Sequence, residues 1–560
     1  MAGISRRELL RATGGAGLWM ALGLGGASGL ARSAFASETG SPPAAGRPYN
    51  ILFLLTDQER HFDRWPMPVP GRERLRKMGV EFSNHQIASN ACTSSRSVIY
   101  TGQSMQRTKM FDNVNSPWVG DLSTEIPTLG DMLREAGYDT AYNGSWHLAK
   151  RFEEATDAME EYGFSDSVGV GDIVGQASGG YHHDEIITAM AVRWLRSKGR
   201  TMARDSRPWL LAVNLINPHD VMYVNTDEPG TPVQDTGQLA LPIAQPPDSA
   251  IYRADWDAPL SGSRRQRFDD PGRPAAHREY QRARGWLVGH GPDEDRRWRK
   301  VQDYYYNCIR DSDRHFERIL RELDDLGLTE STIIVWTSDH GELAGAHGMH
   351  GVGACAYEEQ NHVPLVIAHP EIPGGVECRA LTSHLDLAPT LVGLTGIGSE
   401  KAGRITADLK GHDLTPLLAD PAGAAADAVR PAGALFSYNR WLYQDADFVE
   451  RHVAAGNGAK IRPPDFTKRG AIRSVFDGRY RLTRYFSPKR HNLPRNLEEL
   501  VRDNDLELFD RKRDPGELQN LAVDPKASGD LLLTMNHKLN ALLDHEVGVD
   551  DGSMLPFDRK

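Results

Sequence analysis

The sequence predicts an α/β fold: a mostly parallel central sheet flanked by helices, followed by a smaller C-terminal α+β subdomain. Three observations predict it. Apolar strand-like runs alternate with helical patterns, the order that builds a parallel sheet covered on both faces. The runs are each followed by polar residues able to bind a metal or move a proton, as expected where strand ends share one edge. After about residue 430 the pattern becomes that of paired strands around Asp477-Gly478.

The elements follow in order. Residues 50–55 read as a strand that ends in Asp57-Gln58. Thr128 to Ala136 reads as a helix stopped by Gly137, and a short strand then runs through Asn143. Glu185 to Arg196 is helical in pattern, and Trp209 to Asn214 is the next strand. Residues 221–300 are rich in Pro, Arg and Asp with little periodicity, and read as a long excursion shaping the mouth of a cleft. Phe316, Ile319, Leu320 and Leu323 share one face of a helix from Asp313 to Leu326, with Gly327 as its stop. Thr332 to Trp336 is a strand. Leu435–Tyr438, Ser474–Phe476 and Arg479–Tyr485 read as antiparallel strands, and a closing helix spans roughly 530–543.

The chain has 560 residues and a net charge of −11. Ser5-Arg6-Arg7-Glu8-Leu9-Leu10, the Gly-rich apolar stretch from Ala12 to Leu30 and Ala34-Phe35-Ala36 read as a twin-arginine export signal over residues 1–36. A membrane anchor is the alternative, disfavoured by the glycines and the small residues that end the stretch. Residues 45–430 then form the catalytic domain and 431–560 the smaller subdomain. Cleavage after Ala36 takes the charge to about −14 and leaves no membrane span, which places the mature chain in the periplasm or outside the cell. So acidic a chain excludes nucleic acid as partner, and an anionic substrate must be drawn by a local positive pocket. Four cysteines make no disulfide scaffold; Cys355 with Cys378 is the one pair to consider.

The chemistry lies in strings far apart in the chain. Asp57, Gln58, Asp339 and His340 suit one divalent cation, with calcium, magnesium or manganese compatible with the oxygen donors and the imidazole favouring manganese. Cys92 is a candidate nucleophile. Arg96 lies one helical turn on, placed to lower the thiol pKa and clasp an oxyanion. Together they read as a metal-assisted hydrolase of an oxyanion ester.

Cys92-Thr-Ser-Ser-Arg96 with Thr101-Gly102, Gly144-Ser-Trp-His147, Pro218-His219, Ser338-Asp-His-Gly-Glu342, His347-Gly348 and Asp386-Leu-Ala-Pro-Thr390 stand in family order. On these strings the chain resembles the type I sulfatases of the alkaline phosphatase superfamily, from about residue 48 to 525. The resemblance implies that Cys92 is oxidised to formylglycine before folding, whose hydrate attacks sulfur or phosphorus at a bound metal, calcium first. It also implies His147 as base, His219 as the acid at the leaving oxygen, Arg96 as orienting cation and Asn113 as an amide near the oxyanion. A formylglycine-generating enzyme and the twin-arginine translocase become expected maturation partners, and a small sulfate or phosphate ester the expected substrate. Three positions depart from the pattern: Ser94 replaces the signature proline, and Ser145 and Val352 stand where lysines usually contact the sulfate. His350 or Lys109 are candidate substitutes for the lost charge. The expected function is arylsulfatase-like hydrolysis of sulfate esters. The alternatives are phosphodiester or phosphonate monoester hydrolysis on the same scaffold, and a non-catalytic sulfatase-like binding protein.

Overall fold

Apolar runs with no polar face need cover on both sides, and the central sheet supplies it. The computed structural model describes residues 48–150, 158–169, 175–455 and 462–556. Its strands are β1 Asn50–Asp57, β2 Val80–Phe82, β3 His85–Gln86, β4 Asp139–Gly144, β5 Asp166–Gly169, β6 Trp209–Pro218, β7 Thr332–Ser338, β8 Leu365–Ala368, β9 Val376–Cys378 and β10 Thr382–Ser383. Eight of them form one sheet in the order β5-β4-β6-β1-β7-β8-β2-β9, with β3 and β10 paired beside it. From β5 to β7 every pairing is parallel; β8 runs antiparallel to both β7 and β2.

Alternation along β1 divides the core. Ile51, Phe53 and Leu55 enter one hydrophobic cluster, while Leu52 and Leu54 enter the other with Phe316, Ile319 and Trp336. The register brings Asp57 level with Pro218 and Thr56 level with Ser338. The residues after β1, β4, β6 and β7 therefore emerge at one edge, as the sequence predicts.

The helix after Thr128 spans Leu129–Ala136, with a Thr128–Asp131 capping box and left-handed Gly137 as its stop. Two expectations need correction. The helix expected from Asp313 begins at Asp295 and runs to Asp325, because Gln302, Asn307, Asp311 and Ser312 are buried polar residues that interrupt its apolar stripe. The excursion at 221–300 also contains a helix, Ala275–Val288, which buries Ala276, Tyr280, Ala283 and Leu287 at helical spacing.

The C-terminal sheet is antiparallel in the order β11 Ala434–Tyr438, β12 Ala471–Phe476, β13 Tyr480–Phe486 and β14 Asp505–Asp510. Leu435, Val475, Leu482 and Leu508 pack against Leu532, Met535 and Leu539 of the closing helix Pro525–Leu542. The opposite face, through Phe436, Ile472 and Tyr485, packs with Tyr280, Leu287 and Tyr357 of the larger part. All four cysteines are free and buried, which corrects the Cys355–Cys378 pairing: Cys378 lies in the core beneath the main sheet and Cys355 in the cluster against the C-terminal sheet.

Candidate active site

Cys92 is the first residue of the buried helix Cys92–Thr101. Its Sγ lies 3.1 Å from His340 Nε2 and 3.9 Å from Asp57 Oδ1. His340 Nδ1 lies 3.1 Å from Gly341 O, so the ring proton belongs there and Nε2 is left as the ligand nitrogen. Arg96, one turn along the helix, donates from Nη2 to Asp57 Oδ2 at 3.0 Å and from Nε to Asp339 Oδ2 at 2.9 Å. Its third arm donates to Ser145 O at 2.7 Å, which ties the loop after β4 to the same helix.

Two buried carboxylates beside one thiol set the electrostatics. Burial and the Asp339 carboxylate push Asp57 up, against the pull of Arg96 and His340. Burial, then Asp57 and Asp339, push the Cys92 thiol well above its ordinary value, and Arg96 does not reverse this. Arg96 pulls the thiol down, as its place on the helix predicts, but burial and the two carboxylates outweigh it and hold an unmodified Cys92 toward the protonated form, a poor nucleophile.

Gln58 follows Asp57 with a left-handed backbone, φ 74°. Its N–H donates to Asp339 Oδ1 at 3.1 Å and its side-chain amide donates to Glu342. Glu342 is itself fixed by the N–H groups of Ala344 and Gly351. With its nitrogen so engaged, Gln58 has a buried Oε1 without a hydrogen-bond partner. One ligand atom each from Asp57, Cys92, Asp339 and His340 lies within 4.8 Å of the others. An orphaned amide oxygen beside such a group is what a hard divalent cation requires, so the residues fit the ion.

Asn113 and His147 flank the start of the Cys92 helix. Thr93 donates from its N–H to Asn113 Oδ1 at 3.5 Å and from its hydroxyl to His147 O at 2.7 Å. His147 is reached through Gly144, where φ is +111° and a Cβ would stand 2.0 Å from Asn214 O, so only glycine lets the loop leave the sheet there. His219, in the turn after β6, lines with Cys92 and Asn113 a cavity of about 940 Å³. Asp220 anchors that turn by accepting from the N–H groups of Gly180 and Tyr181.

The two suggested charge substitutes are not in that cavity wall. Lys109 is exposed, and His350 lies against Arg284, 2.9 Å from its Nη2, in a separate small cavity. The sequence reading missed Arg440, which lines the cavity with Cys92. A single arginine after a strand carries no motif, and only the folded chain brings it near position 92.

The sulfatase family model matches residues 49–397. Arylsulfatase K of Danio rerio is 26% identical over 439 residues, which cover 74% of this chain and 77% of that protein. The endo-4-O-sulfatase of Bacteroides thetaiotaomicron is 23% identical over 529 residues, 85% of this chain and 88% of its own. Among solved structures, a 2-O GAG sulfatase aligns with TM-score 0.65 at 20% identity, covering 92% of this chain and 95% of that one. The phosphonate monoester hydrolase of Agrobacterium radiobacter aligns with TM-score 0.61 at 19% identity, covering 90% and 96%. With the family model spanning more than half its length and the fold shared throughout, this chain belongs to the sulfatases, the sulfuric ester hydrolases.

Proposed function

We propose that this sulfatase hydrolyses its ester through an aldehyde made from Cys92, beside one divalent cation held by Asp57, Gln58, Asp339 and His340. The observation that carries the reading is the buried convergence of Asp57, Asp339 and His340 on Cys92, with the Oε1 of neighbouring Gln58 left unsatisfied. Three oxygen-bearing side chains favour calcium, with magnesium or manganese as alternatives. When bound, the ion supplies positive charge that polarises the reacting group and a substrate oxygen. The formylglycine supplies the nucleophile that a protonated, buried thiol does not.

The remaining roles belong to this chain's own side chains. Arg96 holds the two carboxylates apart and in register, so that neither swings toward the other when the site fills. Asn113 directs its amide to the oxyanion, and His147 serves as base during release. His219, facing the cavity, delivers a proton to the leaving oxygen as the sulfur–oxygen bond breaks. Burial of the whole group keeps bulk water from the reacting atoms and strengthens each charge interaction.

Residues 1–36, read as the twin-arginine signal, lie outside the described residues. We take the mature enzyme to be periplasmic or secreted, matured by a formylglycine-generating enzyme and exported by the twin-arginine translocase. No helix among the described residues is long and apolar enough to cross a membrane.

Co-expression with a formylglycine-generating enzyme and mass spectrometry of the Cys92 peptide test the proposal. The expected result is loss of the thiol mass and turnover of aryl sulfates. The fold shared with a phosphonate monoester hydrolase makes parallel phosphodiester and phosphonate assays the necessary comparison; turnover of those alone would replace this reading.

A further inference from the structure

The cavity at Cys92 is walled mainly by apolar and aromatic side chains, Trp118, Tyr223, Trp286 and Phe448 among them. Arg440 is the one lysine or arginine that lines it among the described residues. It is 6% exposed, and its guanidinium sits 4.4 Å over the Tyr443 ring. Its Nε donates to Asp112 Oδ1 at 2.9 Å. Among the described residues this Nε contact is the one hydrogen bond of the guanidinium, and neither terminal nitrogen makes another.

Asp112 engages this guanidinium only at its Nε edge. The carboxylate is already shared with the N–H groups of Asn113, Trp441 and Leu442 and with Trp118 Nε1. Arg440 lines the same cavity as Cys92. Its approach is built into the fold. Ser437 donates its N–H to Ala88 O at 3.0 Å, and Ser89 donates its hydroxyl back to Ser437 O at 3.0 Å. This pairing lays β11 along the segment that leads into Cys92, and Arg440 follows three residues later.

We propose that Arg440 clasps the anionic head of the substrate in place of the two lysines absent at Ser145 and Val352, and that the substrate is the monosulfate of a bulky apolar alcohol or phenol. The proposal rests on the sulfate-ester reading above. Val352 forms part of the cavity wall, and Ser145 gives its carbonyl to Arg96, so neither position offers a cation. One guanidinium matches one sulfate monoanion, and its planar fork suits two of the sulfate oxygens. A polysulfated saccharide would bring further anions against apolar walls and Glu450, with no second lysine or arginine among the described lining residues to pair them.

The test uses matured wild type, Arg440→Gln, Arg440→Lys and Asp112→Asn, assayed with estrone 3-sulfate, 4-methylumbelliferyl sulfate and glucosamine 6-sulfate, with inorganic sulfate as inhibitor. Wild type is expected to prefer the apolar esters by about 100-fold or more in kcat/KM, and Arg440→Gln to lose about as much while its sulfate Ki rises about tenfold. Arg440→Lys should recover part of that loss, and Asp112→Asn, which keeps the cation, should lose less than about tenfold. The proposal falls if Arg440→Gln keeps wild-type kcat/KM and Ki, if Asp112→Asn matches it in both activity and thermal stability, or if the sugar sulfate is preferred. A wild type that carries the aldehyde yet turns over no sulfate ester overturns the sulfate-ester reading itself, and the proposal with it.

Discussion

Arg96 is the residue on which the site's electrostatics turn, since it separates two buried carboxylates that would otherwise face each other. Replacing it with Met leaves both acids without their cation; the expected cost is about 3–5 kcal/mol of stability and more than about 100-fold in kcat. Denaturant unfolding of the ion-free protein and steady-state kinetics check the two halves. Gln58→Leu should differ in kind. It removes the partnerless oxygen together with the amide nitrogen that donates to buried Glu342, so divalent-ion affinity should fall, as read by titration calorimetry, while the ion-free melting temperature falls by less than in the Arg96 variant. Because burial and Asp339 raise Asp57, ion uptake should also release a proton below neutral pH, seen as a dependence of the binding heat on buffer ionisation. The metal-ligating and His-bearing strings could be read at this scale because each sits directly after an apolar run. Arg440 could not, since a lone arginine has no neighbouring pattern. The downward pull of Arg96 on Cys92 was visible in sequence, whereas the two opposing carboxylates and the burial that outweigh it came only with the fold.

Elements position these residues, and their weak points are local. Gly144→Ala would drive a Cβ into Asn214 O at a positive φ, so the β4 end and the Ser145–His147 loop must shift. The expected loss is about 3 kcal/mol or more, measured by chemical denaturation, with kcat reduced as His147 moves. In the helix Asp295–Asp325, His315 is held at about 3 by burial, with Arg314 and Arg318 adding to it. Glu185, 3.9 Å away and more than half exposed, does not offset this. The native state thus refuses a proton that the unfolded chain accepts below about 6.5, so this histidine's contribution is present above that pH and is lost as pH falls toward 3. His315→Gln should remove that slope: the wild-type advantage in unfolding free energy shrinks by up to about 1.4 kcal/mol per pH unit through this window. Strands and the Thr128-capped helix were legible from apolar runs and cap residues. The first half of the Asp295–Asp325 helix was not, because its inward face carries polar groups that bond to loops far away in sequence.

At the scale of the whole molecule, the C-terminal sheet is a wall of the catalytic part as well as a subdomain. Phe436, Ile472 and Tyr485 cover Tyr280, Leu287 and Tyr357, and Arg430 is buried between Asp386 and Glu546. A chain cut after residue 430 would expose that apolar face and strip Arg430 of its Glu546 partner. It is expected to aggregate on size-exclusion chromatography, whereas the chain from residue 37 to the end should elute as a defined species. The pairing of Ser437 with Ala88 and Ser89 reaches back across more than three hundred residues. On the ribosome, at ~5–20 residues per second, roughly 20–70 s separate the emergence of position 92 from that of β11. For that interval the nascent chain lacks the strand that lies along the approach to Cys92, which gives a maturation enzyme its time to work and withholds a finished pocket until synthesis is nearly over.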